Sequence, residues 1–293
     1  MPVAKFDLDQ CFLVPGFPLT ARSLGPHAET LDRHTQAADE LLIVRSGAGV
    51  LWMEGVLQPV EQGTALVILP GEEHGFQSVQ DLQLRSILYD HRQVVKPRAE
   101  TLRLPGFHAL FPEEQHAKPT DKPRERVTLT GAQLRYLMDL FDHLESEEEV
   151  HMPGYETIME LMFMQIIVYL ARIYSRQGDP PAKRRGNRLT GVIDHMEAHY
   201  AEPILLDDLC ALAHMSKNNL LRVFKQQYSV SPIEYLIRLR MLRACELMRD
   251  PELSISDIAY DVGFSDSNYF SRRFRETYGV PPTVYRKRMR PGE

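Results

Sequence analysis

The chain has 293 residues, 43% of them apolar and 25% charged, which suits about two domains with a core in each and excludes a disordered or collagen-like polymer. Its start carries Asp7 and Asp9 ahead of Pro15, Pro18 and Pro26, unlike the basic-then-apolar pattern of a secretory leader. The most apolar stretch, Ile158 to Ile173, is broken by Glu160, Gln165 and Arg172, short of the ~20 apolar residues that span a bilayer, so a soluble, cytoplasmic protein is expected.

In chain order, residues 30 to 95 read as short strands at Glu40–Arg45, Val50–Met53, Ala65–Leu69, Phe76–Val79 and Leu82–Tyr89, punctuated by Gly47-Ala-Gly49, Glu61-Gln-Gly63 and Pro70-Gly71. That spacing predicts a small antiparallel barrel. Alternation on the last strand groups Arg85 with Ile87 and Tyr89, or Ser86 with Leu84 and Leu88. The first set holds the polar handles that a sugar-like effector needs, and it is taken as the inward one. Trp52, the only tryptophan, can stack on a sugar ring or belong to the core. Pro97 to Pro123, with His108 and His116 at no metal-ligand spacing, reads as loop. Two helices follow within residues 130 to 176. The first carries Leu134, Leu137, Met138, Phe141 and Leu144, the second Ile158, Leu161, Met162, Ile166, Tyr169 and Leu170. Their apolar faces exceed what one small barrel needs and predict a homodimer interface; the alternative is that they cover the barrel.

A linker is expected where QGDPPAKRRGN combines helix breakers with a basic cluster. Beyond it the balance of charge changes sign, since residues 183–293 carry +4 whereas residues 1–182 carry −10. A basic domain of this kind suits phosphate attraction. Cys210 and Cys245 within it are expected as small core residues, and with Cys11 they form neither a disulfide framework nor a zinc knuckle.

The same region repeats itself. At a shift of 49 residues Asp208-Leu209 falls on Asp257-Ile258 and Ser216 on Ser265; at a shift of 50, Leu220, Arg222, Phe224, Lys225, Tyr228, Val230, Pro232 and Tyr235 fall on Phe270, Arg272, Phe274, Arg275, Tyr278, Val280, Pro282 and Tyr285. Each copy has the pattern helix, tight turn, helix. The first turns at His214-Met215 with Ser216 as the next cap, the second at Gly263 with Asp266 as cap. In the second helices Leu220, Val223 and Phe224, and likewise Phe270 and Phe274, must pack inward. Asn218, Leu221, Arg222 and Lys225 in one copy, and Asn268, Ser271, Arg272 and Arg275 in the other, are left on the outward stripe. Asn and Arg one turn apart suit the base edges of a major groove. Between the copies, Ser231, Pro232 and Glu234 start a helix that runs to about Arg249, a strut of ~27 Å able to hold two reading helices about one DNA turn apart.

Residues Leu205 to Arg286, above all the run from Ser256 to Arg275, resemble the DNA-binding domain of AraC/XylS-type transcription regulators, and within them the rhamnose-responsive activators through Asp-Ile-Ala-Tyr and Gly-Phe-Ser-Asp-Ser-Asn. The segment with Glu40, Gly47, Gly63 and Leu69-Pro-Gly-Glu-Glu-His74 is similar to the cupin-like sensor of the same regulators. The resemblance implies an α+β multidomain chain: a cupin-like effector-sensing β-barrel (1–129), a helical dimerisation segment (130–176), a flexible linker (177–188) and an all-α DNA-binding domain with two helix-turn-helix units (189–293). It implies base contact by Asn218, Arg222, Asp266, Asn268 and Arg272, among a set that extends over Lys217, Leu221, Lys225, Ser267, Ser271 and Arg275. Arg273, which replaces the counterpart of Val223, is expected to reach toward phosphate. The effector set is His34, Glu40, Trp52, His74, Arg85 and Tyr89. The expected function is a ligand-responsive activator of carbohydrate-utilisation genes whose partners are double-stranded DNA, a small-molecule effector such as a sugar, RNA polymerase and a second copy of the chain, with no cofactor, membrane or catalytic residue. Asp257 and Asp261 are surface acids that suit polymerase contact, although Ser254-x-x-Asp257 also reads as a capping box. Two alternatives stay open. One is a regulator answering a non-sugar effector or a partner protein. The other is a cupin enzyme holding iron or manganese on His34, Glu40 and His74, with Gln36 standing where metal-binding cupins have a second His.

Overall fold

A computed structural model describes residues 3–27, 31–111, 124–177 and 182–289; His116 and linker residues 178–181 fall outside them. In chain order the elements are β1 (Ala4–Phe6), α1 (Leu8–Cys11), β2 (Leu19–His27), β3 (Leu31–Gln36), β4 (Asp39–Met53), β5 (Val56–Glu61), β6 (Thr64–Ile68), β7 (His74–Tyr89), α2 (His91–Val94), α3 (Ala99–Leu102), α4 (Pro105–Leu110), β8 (Arg126–Thr128), α5 (Gly131–Val150), α6 (Tyr155–Gln177), α7 (Ala182–Ala198), α8 (Leu206–Ala213), α9 (Lys217–Tyr228), α10 (Pro232–Leu247), α11 (Ile255–Asp261), α12 (Ser267–Tyr278) and α13 (Pro282–Arg288). They form two compact units: Met1–Lys96 with Leu110–Gln177, and Pro97–Ala109 with Gly178–Glu293.

The first unit is built on one eight-stranded sheet. The expected strand pairs Glu40–Arg45/Val50–Met53 and Phe76–Val79/Leu82–Tyr89 are two continuous long strands, β4 and β7, because the irregularities between Val44 and Val50 bend the chain without ending the ladder. Gly47 (φ +77°) lies where they cross, and a Cβ there would meet the carbonyl oxygens of Gln80 and Asp81 at 2.4 and 2.2 Å. β7 pairs with β2, β3 and β4, and β4 pairs with β5, β6 and β7, so the sheet curls and closes over an inner core that includes Leu42, Val44, Leu51, Val60, Leu66, Ile68, Phe76 and Leu84. The outer face is covered by helices. Leu134, Leu137, Phe141 and Leu144 of α5, and Met159, Phe163, Ile166 and Leu170 of α6, are buried within their own unit, so much of the surface expected for a dimer is spent on the sheet. By length and composition α6 does match a membrane span, more closely than the broken apolar run suggested.

In the second unit, the stretch expected to be loop contains α3 and α4, with Leu102, Phe107 and His108 buried. The basic cluster expected in a linker lies at the start of α7. Ser231 caps α10 by accepting from the Glu234 N–H at 3.2 Å with Pro232 in the first turn. At 16 residues, α10 is about 24 Å long. The second copy closes around Met241, Met248, Ile258, Val262, Phe264, Phe270 and Phe274, while Phe224, Tyr228 and Tyr235 pack ring against ring in the first. Cys11 is buried, whereas Cys210 and Cys245 are half-buried rather than fully in the core; all three are free.

Candidate nucleic-acid interface and sheet interior

Five polar side chains converge on the inner face of the first unit. Glu40 shares a face with Leu42 and Val44, Ser86 lies opposite Leu42, and His34 lies opposite His74. Glu40 accepts from the Ser86 hydroxyl at 2.5 Å and from the Gln36 amide at 2.9 Å, and its Oε2 is 3.4 Å from His74 Nε2. The His34 and His74 rings lie 4.3 Å apart. Burial pushes the Glu40 carboxyl up, but the hydrogen bond and charge of His74, with the bonds from Ser86 and Gln36, outweigh it and hold the group at about 2. Burial lowers His74, but its pairing with Glu40 brings it above the ordinary value, while burial and the His74 charge keep His34 below. The cluster therefore offers a carboxylate, two imidazoles shifted in opposite directions, an amide and a hydroxyl. No group of three or more His, Cys, Asp or Glu side chains among the described residues has a metal-holding arrangement: His74 Nε2 and Glu40 Oε2 face each other, and the Gln36 amide turns its N–H, not a lone pair, toward Glu40. The iron or manganese site does not fit.

The other expected effector residues lie elsewhere. Because side chains alternate along a strand, placing Ser86 inward turns Arg85 and Tyr89 outward. There Arg85 lies 3.7 Å from Asp142 and over the Phe141 ring, and Tyr89 packs on Phe163. Trp52 is also outside, with the Arg33 guanidinium 3.7 Å from its ring centroid. Gln36 and Ser86 join Glu40 instead, and the signal for Ser86 was the alternation grouping that set it apart from Arg85.

In the second unit both copies have the expected inside and outside. Leu220, Val223, Phe224, Phe270 and Phe274 are buried; Lys217, Asn218, Arg222, Lys225, Asp266, Asn268, Arg272 and Arg275 are exposed, with Leu221, Ser267 and Ser271 half-buried. The turns close alike. His214 N–H donates to the Ala211 carbonyl and Met215 N–H to that of Cys210; Gly263 and Phe264 do the same to Tyr260 and Ala259. His214 adopts the left-handed conformation at φ 51°. Ser216 has the extended cap backbone, but its hydroxyl makes no capping bond, whereas one Asp266 oxygen accepts from the N–H groups of Asn268 and Tyr269 at 2.7 and 3.3 Å. Asp257 and Ser254 form a reciprocal capping box, and these bonds lower the Asp257 carboxyl; Asp261 is exposed. Arg273, expected to reach toward phosphate, is engaged by carboxylates within its own unit. It donates to Glu234 at 2.6 Å and Glu276 at 2.9 Å, tying α12 to α10.

A family profile described as a helix-turn-helix domain matches residues 209–288, and one described as a cupin domain matches residues 22–88. The chain is 28% identical over 256 residues to HTH-type transcriptional activator RhaR of Mannheimia succiniciproducens, covering 87% of each. It is also 28% identical over 265 residues to HTH-type transcriptional activator RhaS of Escherichia coli, covering 89% of each. A solved structure, of a probable AraC family transcriptional regulator from Rhodopseudomonas palustris, is 28% identical and aligns with 36% of this chain and 99% of that one at a TM-score of 0.34.

Proposed function

We propose, from the premise that this chain is an AraC-family transcription regulator with a cupin domain and not an enzyme, that it is a cytoplasmic activator of carbohydrate-utilisation genes whose sheet interior senses a polyhydroxylated effector and whose α9 and α12 read DNA. The observation that carries the DNA reading is the recurrence, in both copies, of exposed Asn and Arg one turn apart on a helix whose opposite side is buried aromatic core. Arginine bonds guanine bidentately and asparagine bonds adenine, each worth about 1–3 kcal/mol of discrimination. Arg222→Ala and Arg272→Ala in the full-length chain should each weaken binding to a duplex selected from a random-sequence pool by that amount. Gel-shift titrations in which both variants bind like the parent would remove the assignment.

The effector reading rests on the cluster of Glu40, His74, His34, Gln36 and Ser86, whose mixed donors and acceptors match the hydroxyls of a sugar. A thermal-shift screen with monosaccharides should raise the melting temperature of the parent and not of Glu40→Gln. A screen with no stabilising sugar would favour a regulator that answers a non-sugar effector or a partner protein. Dimerisation is read from what α5 and α6 leave uncovered: Ile158 and Leu161, 43% and 66% exposed, share a side of α6 with Gln165, which donates to Tyr136. Sedimentation equilibrium at micromolar concentration should give a dimer, and Leu161→Glu a monomer.

A further inference from the structure

The two reading arginines correspond at the 50-residue repeat, and so do the residues one turn before them, Asn219 and Tyr269. In the first copy the Arg222 guanidinium donates through one terminal nitrogen to the Asn219 amide oxygen at 2.8 Å and through the other to the Gln226 amide oxygen at 3.0 Å. In the second copy the two amides are replaced: Tyr269 stands for Asn219, and Glu276, the counterpart of Gln226, pairs with Arg273. There the Arg272 guanidinium instead lies 5.3 Å from the Tyr269 ring centroid, and that ring rests 5.9 Å from buried Phe264.

We propose that Asn219 with Gln226, and Tyr269 alone, are positioning residues that hold Arg222 and Arg272 ready for base contact. This inference rests on the reading of α9 and α12 as DNA-reading helices. An exposed arginine is rich in rotamers, and a side chain ordered before binding loses less entropy on contact. The two devices differ in what they leave free. The amide clamp uses two of the five N–H donors of Arg222, whereas the cation–π contact of Arg272 with the Tyr269 ring takes up no amide oxygen and leaves its N–H donors for a base. The copies thus present one partly committed fork and one complete fork, so the base pair read by Arg272 is the more stringently specified.

The test uses the full-length chain and a duplex selected by the parent from a random-sequence pool, with a panel of single-base-pair changes. Asn219→Ala/Gln226→Ala and Tyr269→Ala should each weaken binding by about 2- to 10-fold and relax base preference only at positions that Arg222→Ala or Arg272→Ala relaxes. Affinity for non-specific DNA and the salt slope should stay unchanged, and Tyr269→Phe, which keeps the ring, should bind like the parent. In Arg222→Ala and Arg272→Ala backgrounds the corresponding changes should have no further effect. Further loss in those backgrounds would mean direct DNA contact and overturn the positioning role alone, as would unchanged affinity of the positioning variants. Arginine variants that bind like the parent would overturn the DNA reading and this inference together.

Discussion

Replacing Gly263 with alanine should destabilise the second helix-turn-helix copy by about 2–5 kcal/mol and abolish its share of DNA binding. Gly263 turns the chain between α11 and α12 at φ +92°, beyond the range L-residues adopt without strain. An added Cβ would also stand 2.8 Å from the Ala201 carbonyl oxygen and 2.9 Å from that of Tyr200. These are backbone atoms, and they cannot swing aside as a flexible side chain would. The equivalent residue in the first copy, His214, shows the contrast. Its φ of 51° lies in the left-handed well that His enters more readily than most residues, so His214→Gly should change stability by less than about 1 kcal/mol. Chemical denaturation followed with gel shifts checks both; equal effects at the two turns would refute the geometric account.

Removing the His108 imidazole should cost the second unit about 2–4 kcal/mol at neutral pH. His108 lies in α4, yet it belongs to the same unit as α9 and α12, where it is buried among Phe107, Tyr228 and Tyr235. Its Nε2 donates to the Leu102 carbonyl at 2.7 Å, and its Nδ1 accepts from buried Arg238 of α10 at 3.1 Å. Burial, then the Arg238 charge, lowers the imidazole from 6.5 to about 3. A lowered histidine contributes stability that is present above its unfolded value and is lost as pH falls from 6.5 toward 3. Between pH 7 and pH 5 this amounts to about 2 kcal/mol. His108→Gln, which keeps an acceptor for Arg238 but cannot titrate, should flatten that dependence. A variant as acid-sensitive as the parent would assign the effect to another group. The same segment is fastened by Arg103, which pairs with both Glu197 oxygens at 2.7 Å and with Asp194 at 3.0 Å.

The helix-turn-helix pair was legible in the sequence because its determinants are local. The 3.6-residue period separates Phe270 and Phe274 from Asn268 and Arg272 without reference to any other part of the chain, and turn residues such as Gly263 and caps such as Asp266 and Ser254 act within a few residues. The sheet interior was half legible. Glu40, His34 and His74 stood out by type, but which side of β7 faces inward depends on the register with β4, and a period of two offers both faces equally. Pairing Leu42 with Ser86 decides it, sending Ser86 to Glu40 and Arg85 and Tyr89 to the helices. What only the tertiary structure decided is of one kind: Arg273 spent on Glu234, α5 laid over the sheet, and residues 97–109 built into the second unit. Each is a long-range partnership, and a long-range partner leaves no periodic trace in the residues that await it.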